Sequence, residues 1–208
     1  MKLKNTLFFG MIVMACVAIL SAFVEKPSGY AVGDKAEDFS LKNVDGKMVS
    51  LADYKKAKGF IVVFTCNHCP YSVAYEQRIM DLDKMFKAKG YPVIAINPND
   101  PAAEPDDSFD KMVELAKKKK YSFPYLFDDG QKVFPKYGAT RTPHVFVLSK
   151  NNKDLTVEYI GAIDNNTKDA SKADKPYVQD AVNALLQGQK PAVTMTKAVG
   201  CSIKVKKD

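Results

Sequence analysis

At 208 residues, 46% of them hydrophobic, the chain carries enough apolar material for one globular domain with a core, which excludes a disordered tail. The formal net charge of +7 is not a nucleic-acid footprint: the lysines are spread widely. Their one dense run, residues 117–120, ends an amphipathic helix pattern without interleaved aromatics, so a solvated face is expected and no nucleic-acid partner.

The first residues, MKLKNTLFFGMIVMACVAILSAFVEKPSG, place Lys2 and Lys4 before a nearly unbroken apolar stretch from Leu7 to Val24. Residues 1–24 therefore read as a secretory signal with a small-residue cleavage site at Leu20-Ser21-Ala22, or as an uncleaved membrane anchor. Lipid attachment at Cys16 is a third reading, disfavoured by the apolar VAIL that follows. Each of these carries the remainder across a membrane, so a bacterial periplasmic location, free or tethered, is expected.

Residues 30–54 read as a short hairpin, FSLKNV and KMVSL around an Asp45-Gly46 turn. GFIVVFT, 59–65, is a continuous apolar run rich in β-branched and aromatic residues, the pattern of a strand buried on both faces. Two cysteines, Cys66 and Cys69, follow at once. Val73, Ile79, Leu82, Met85 and Phe86 then fall at roughly helical spacing, and Gly90 supplies a stop. YPVIAIN, 91–97, predicts a second buried strand, PNDPAAEPDD a loop, and residues 108–119 a helix. FPYLFDD, QKVFPKYG and PHVFVL predict a strand, a short helix and a strand. Asn151-Asn152 turns into LTVEYIGAI, which is expected to pair antiparallel with the strand before it. The last amphipathic helix spans 175–188, and 190–208 reads as a tail. Alternating strands and helices imply parallel pairs with crossover helices, and the late hairpin adds an antiparallel edge. The expected class is α/β: a mixed central sheet flanked by helices, one domain over 31–189, with an extra N-terminal β-hairpin.

With Cys16 set aside, Cys66, Cys69 and Cys201 are an odd set, so at least one thiol is free, intermolecular or reactive. Structural zinc of the ribbon type needs a second cysteine pair, which the chain lacks, so no metal is expected. A purely structural Cys66–Cys69 disulfide is a further alternative. Against it stands the position of Cys66, where a buried strand hands over to a helix whose unpaired N–H groups and dipole favour a thiolate.

A strand ending in C-x-x-C, a helix, and a Thr142-Pro143 about 75 residues later opening an antiparallel hairpin resembles the thioredoxin fold. The segment DFSLKNVDGKMVSLADY is similar to the extracytoplasmic thioredoxin-like reductases and the wider alkyl hydroperoxide reductase and thiol-specific antioxidant superfamily. CNHCP, AINPND, FPYL and the closing GCSIK resemble a narrower bacterial group of thioredoxin-family proteins. The resemblance, covering about residues 31–205, implies Cys66 as nucleophile, Cys69 as resolving cysteine and Pro143 as a cis-proline facing them, with the Thr142 backbone presented to a substrate chain. It implies no cofactor, and as partners protein disulfide or dithiol clients and a redox partner that the sequence does not identify. Thioredoxins carry an acidic residue six positions before the first cysteine; here Phe60 stands there, so proton removal from Cys69 needs another group, water or His68.

Both histidines of the chain, His68 and His144, are expected at the site on this resemblance. A protonated His68 in the first helical turn would stabilise a Cys66 thiolate and raise the reduction potential. Cys66, Cys69, His68 and His144 also form a soft donor set suited to Cu(I), which makes a copper chaperone one rival reading, although such proteins of this fold carry C-x-x-x-C. A thiol peroxidase is the other; its P-x-x-x-T-x-x-C pattern is absent, since Thr65 adjoins Cys66 and Gly59 stands upstream. Cys201 is read either as a buried core thiol in a late strand or as a third redox thiol on a mobile tail that reaches the Cys66–Cys69 pair or links two chains.

Overall fold

The computed structural model describes residues 29–206; the expected signal or anchor, 1–24, lies outside them. Among the described residues no helix is long and apolar enough to cross a membrane.

Among the described residues ten strands form, eight of them in one central sheet. In chain order these are β1 (Lys35–Ala36), β2 (Ser40–Asn43), β3 (Met48–Ser50), β4 (Gly59–Phe64), β5 (Val93–Asn97), β6 (Tyr125–Phe127), β7 (Arg141–Thr142), β8 (His144–Asn151), β9 (Asp154–Gly161) and β10 (Cys201–Ser202). The sheet runs β1-β9-β8-β4-β5-β6-β2-β3, and β7 and β10 pair separately. β4 and β5 are parallel, as are β5 and β6, while β4–β8 and β8–β9 are antiparallel. Every residue of β4 and β5 is buried, which is why both read as continuous apolar runs rather than alternating ones. The expected hairpin is β2–β3, with Asp45 accepting from the Lys47 amide and Gly46 at φ +85° in the turn. β2 joins the sheet beside β6. The late hairpin does not end the sheet, because β1 pairs along β9.

The helices are α1 (Pro70–Phe86), α2 (Phe109–Lys119), α3 (Phe134–Tyr137) and α4 (Tyr177–Leu186). Alternate residues of the central strands feed two cores. Ile61, Val63 and Val145 pack with Tyr75 and Ile79 of α1, Met112 of α2 and Val182 of α4. Phe60, Val62, Phe64 and Phe146 face the other way and are covered by α3 and by the N-terminal residues Phe39 and Leu51. Helices thus flank both faces, unequally. At Gly59 a Cβ would run into the Leu148 carbonyl and the Tyr91 ring, so the entry to β4 admits only glycine.

Candidate active site

β4 ends at Phe64, and α1 begins only at Pro70, with Cys69 as its N-cap residue. Proline suits the first helical position because its missing N–H is unpaired there anyway. The loop 65–69 therefore carries both cysteines and His68 ahead of the helix, so the expectation of His68 in the first helical turn is corrected, while the Cys66 sulfur does lie at the helix start, bonded by the Cys69 amide and 3.6 Å from Ser72 Oγ.

The loop is fastened from one side by the acidic segment that leads into α2. The buried Asp107 accepts from the Asn67 amide at 2.7 Å and from Asn99 Nδ2 at 2.5 Å, and sits 2.8 Å from His68 Nδ1. His68 Nε2 is 3.3 Å from Glu104 Oε2. Asn67 donates to the Asp106 carbonyl and accepts from the Tyr125 hydroxyl, both at 2.8 Å. Asp107, Glu104 and Asn67 were not singled out from the sequence. The signal was there in PNDPAAEPDD, but only tertiary folding brings that loop against C-x-x-C.

From the other side comes Thr142. The Thr142–Pro143 peptide bond is cis. Cys66 Sγ lies 3.3 Å from Thr142 Oγ1 and 3.6 Å from Ser72 Oγ, and Cys69 Sγ lies 3.4 Å from the Thr142 carbonyl oxygen. One residue thus touches both sulfurs. His144, directly after Pro143, turns away: its Nδ1 accepts from the Thr140 amide at 3.3 Å and its ring lies tilted against Phe146, on the Phe64 side of the sheet. Burial pushes its pKa down to about 4, so it is neutral at physiological pH.

Cys69 is disulfide-bonded to Cys201, and Cys66 is a buried free thiol. Of the readings of Cys201, the bond places it at the Cys66–Cys69 pair, and it is not a free core thiol. β10 pairs antiparallel with β7, setting Cys201 opposite Thr142 and Ser202 opposite Arg141. The segment expected as a tail is laid along the site as far as Lys206.

The expected stabilised thiolate is also corrected for this state. Burial pushes the Cys66 thiol up, and the nearby Asp107 carboxylate adds to it. The Thr142 and Ser72 hydroxyls and the Cys69 amide pull the other way, less strongly. Both ring nitrogens of His68 face carboxylates, Nδ1 that of Asp107 and Nε2 that of Glu104. The copper quartet is likewise taken apart: Cys69 is bonded to Cys201 and His144 is engaged with Thr140. Among the described residues, Cys66, His68 and Asp107 bring a sulfur, an imidazole nitrogen and a carboxylate oxygen within 4.8 Å of one another. In this arrangement His68 and Asp107 are bonded to each other.

A strand-borne cysteine motif, a helix and a facing X-Pro loop recur in known proteins. The family model described as AhpC/TSA family matches residues 32–157. The chain belongs to that family. It is similar to the thiol-disulfide oxidoreductase ResA of Bacillus cereus, 26% identical over 159 residues that cover 72% of this chain and 86% of that protein. A solved structure of an uncharacterized conserved protein from Geobacillus kaustophilus superposes with a TM-score of 0.79 at 32% identity, covering 86% of this chain and 94% of that one. A putative thiol:disulfide interchange protein DsbE from Chlorobium tepidum superposes with a TM-score of 0.50 at 25% identity, covering 62% of this chain and 85% of that one. The shared architecture is the thioredoxin fold.

Proposed function

We propose that this chain is a thiol-disulfide oxidoreductase acting on protein disulfides or dithiols outside the cytoplasm, with Cys66 as the attacking sulfur and Cys69 as the resolving one. The observation that carries the reading is the meeting of both sulfurs at Thr142, with a free thiol at Cys66 and a disulfide at Cys69. Family membership and the likeness to ResA support it.

With all cysteines reduced, Cys66 attacks a client disulfide and forms a mixed disulfide; Cys69 then attacks Cys66 Sγ and the client leaves reduced. Run in reverse, a Cys66–Cys69 disulfide oxidises a client dithiol. Thr142 Oγ1 and Ser72 Oγ stand within reach to donate to the Cys66 sulfur as charge develops on it. The buried Asp107, bonded to His68, takes the place of the acidic residue missing at Phe60 as the carboxylate nearest the thiol chemistry. Pro143 holds Thr142 in place, and the exposed Tyr71 and Val73 at the start of α1 offer an apolar rim for a client chain. The CNHC motif of residues 66–69 is the active-site signature on this reading.

Export rests on the lysine-led apolar segment of residues 1–24, whether cleaved or kept as a tether. The Cys69–Cys201 disulfide supports it, since such bonds persist in oxidising compartments.

The test is reduction of insulin with dithiothreitol as electron source. Wild type should accelerate precipitation, Cys66→Ser should abolish the acceleration, and Cys69→Ser should accumulate mixed disulfides with clients. Wild-type rates in Cys66→Ser would reject the assignment.

A further inference from the structure

The chain beyond α4 is strapped across the site at three places. Upstream, Ile160 donates to the Thr194 carbonyl at 3.0 Å and Thr196 donates back to Ile160 at 2.9 Å. Thr196 Oγ1 meets the Tyr159 hydroxyl at 2.6 Å and accepts from the Ala162 amide at 2.9 Å. Downstream, Lys204 donates to Asn99 Oδ1 at 2.8 Å, and its carbonyl accepts from the Asp100 amide and from Gln131 Nε2, both at 2.9 Å. Between these anchors the hold is slight. None of residues 197–203 is buried, and the ladder to β7 is two residues long. The Cys69–Cys201 disulfide closes the middle.

What the strap covers is the edge that the proposed chemistry needs. Cys201 sits opposite Thr142, where an extended client segment would pair with the backbone beside both sulfurs. Gly200 lies so close to the Thr142 carbonyl and the Pro143 nitrogen that any Cβ there would collide with backbone. A cysteine following a glycine on an extended segment thus occupies the docking position from within the same chain.

We infer that residues 197–203 are an internal stand-in for a client strand, and that Cys66 releases it by attacking the Cys69–Cys201 disulfide. The inference rests on the Cys66–Cys69 reading above and adds the regulation of that site. Cys66 gives up its proton and its sulfur bonds to Cys69 Sγ. The Cys69–Cys201 bond breaks, and Cys201 leaves as a thiolate that takes up a proton. One thiol and one disulfide stand on each side, so neither an oxidant nor a reductant is needed. Both sulfurs already touch Thr142, and the Cys69 amide bonds to Cys66 Sγ, so the attacking and attacked sulfurs lie in one small space. The closed isomer holds a single buried thiol and cannot resolve a mixed disulfide, because Cys69 is occupied. The open isomer carries the Cys66–Cys69 disulfide and a bare β7 edge, ready for an extended dithiol peptide.

The test maps which of Cys66, Cys69 and Cys201 is the free thiol in the oxidised protein. The purified protein is unfolded in acidic urea with N-ethylmaleimide, and the labelled cysteine is identified by mass spectrometry; oxidation of a synthetic dithiol peptide is followed in parallel. Wild type should carry the label mainly on Cys66. Gly200→Val keeps Cys66, Cys69 and Cys201 but unseats the ladder, and should raise the ratio of Cys201 to Cys66 label by about tenfold, the factor that accompanies about 1.4 kcal/mol. Gly200→Val and Cys201→Ser should both oxidise the peptide several-fold faster than wild type. An unchanged label ratio in Gly200→Val, or Cys201→Ser turning over no faster than wild type, overturns the latch. Failure of the latch alone leaves Cys66→Ser inactive; turnover surviving in Cys66→Ser strikes the nucleophile assignment itself, and the latch with it.

Discussion

Acid should unfold this protein through His144. His144 is 7% exposed, its Nδ1 accepts from the Thr140 amide, and its ring centroid lies 4.8 Å from that of Phe146. Protonation would cost the ring its acceptor and set a charge in an apolar layer, so the folded-state pKa falls from 6.5 to about 4. A depressed histidine pKa means that the unfolded chain binds the proton first. Its contribution is present in full above pH 6.5 and is lost as the pH falls toward about 4. At about 1.4 kcal/mol per pH unit, the gap is worth about 3 kcal/mol in all, of which about 2 kcal/mol is gone by pH 5. That is a large share of an ordinary domain's stability, which is about 5–15 kcal/mol. Urea unfolding measured at steps from pH 7.5 to pH 5, with a slope near 2 kcal/mol per M, should show the midpoint falling by about 1 M more in wild type than in His144→Asn. Asparagine keeps an acceptor near the Nδ1 position and does not titrate, while the carboxylates common to both proteins cancel in the difference. Parallel midpoint curves for the two proteins down to pH 5 would refute the reasoning.

The remaining expectations concern the thiols and one backbone contact. In the oxidised protein Cys66 should react with iodoacetamide more slowly than a free model thiol, with a rate still climbing at pH 9; Asp107→Asn should speed it by removing a charge that disfavours the thiolate, and a rate matching the model thiol contradicts the burial argument. The Cys69–Cys201 bond spans a sequence separation of 132, for which chain entropy sets a ceiling of about 5 kcal/mol. Reducing it in a Cys66→Ser background should therefore cost about 2–4 kcal/mol in urea titrations, and no change would mean that the unfolded chain is not constrained by it. Gly59→Ala should destabilise the fold by at least about 2 kcal/mol, because the new methyl meets the Leu148 carbonyl and the Tyr91 ring; wild-type stability would show that β4 and β8 can part at little cost.

Much of the architecture follows from local pattern. The continuous apolar runs at 59–65 and 91–97 mark strands buried on both faces, and the Asp45-Gly46 turn dictates a hairpin, because each depends on neighbours within a few residues. The candidate nucleophile is legible for the same reason: Cys66 and Cys69 adjoin a strand end whatever lies across from them. Long-range facts were not legible. That Cys69 pairs with Cys201, that Asp107 rather than a residue near Phe60 faces the thiol, and that His144 turns to Thr140 all depend on which segments the sheet order brings together.

Sequence alone settled which residues are apolar in which rhythm, and hence the elements and the two-sulfur motif, since a strand or helix is chosen by its own side chains. Only tertiary structure decided the partners of those sulfurs and the protonation each can bear. A disulfide, a buried carboxylate and a desolvated imidazole are properties of the space between distant segments, and no window along the chain contains that space.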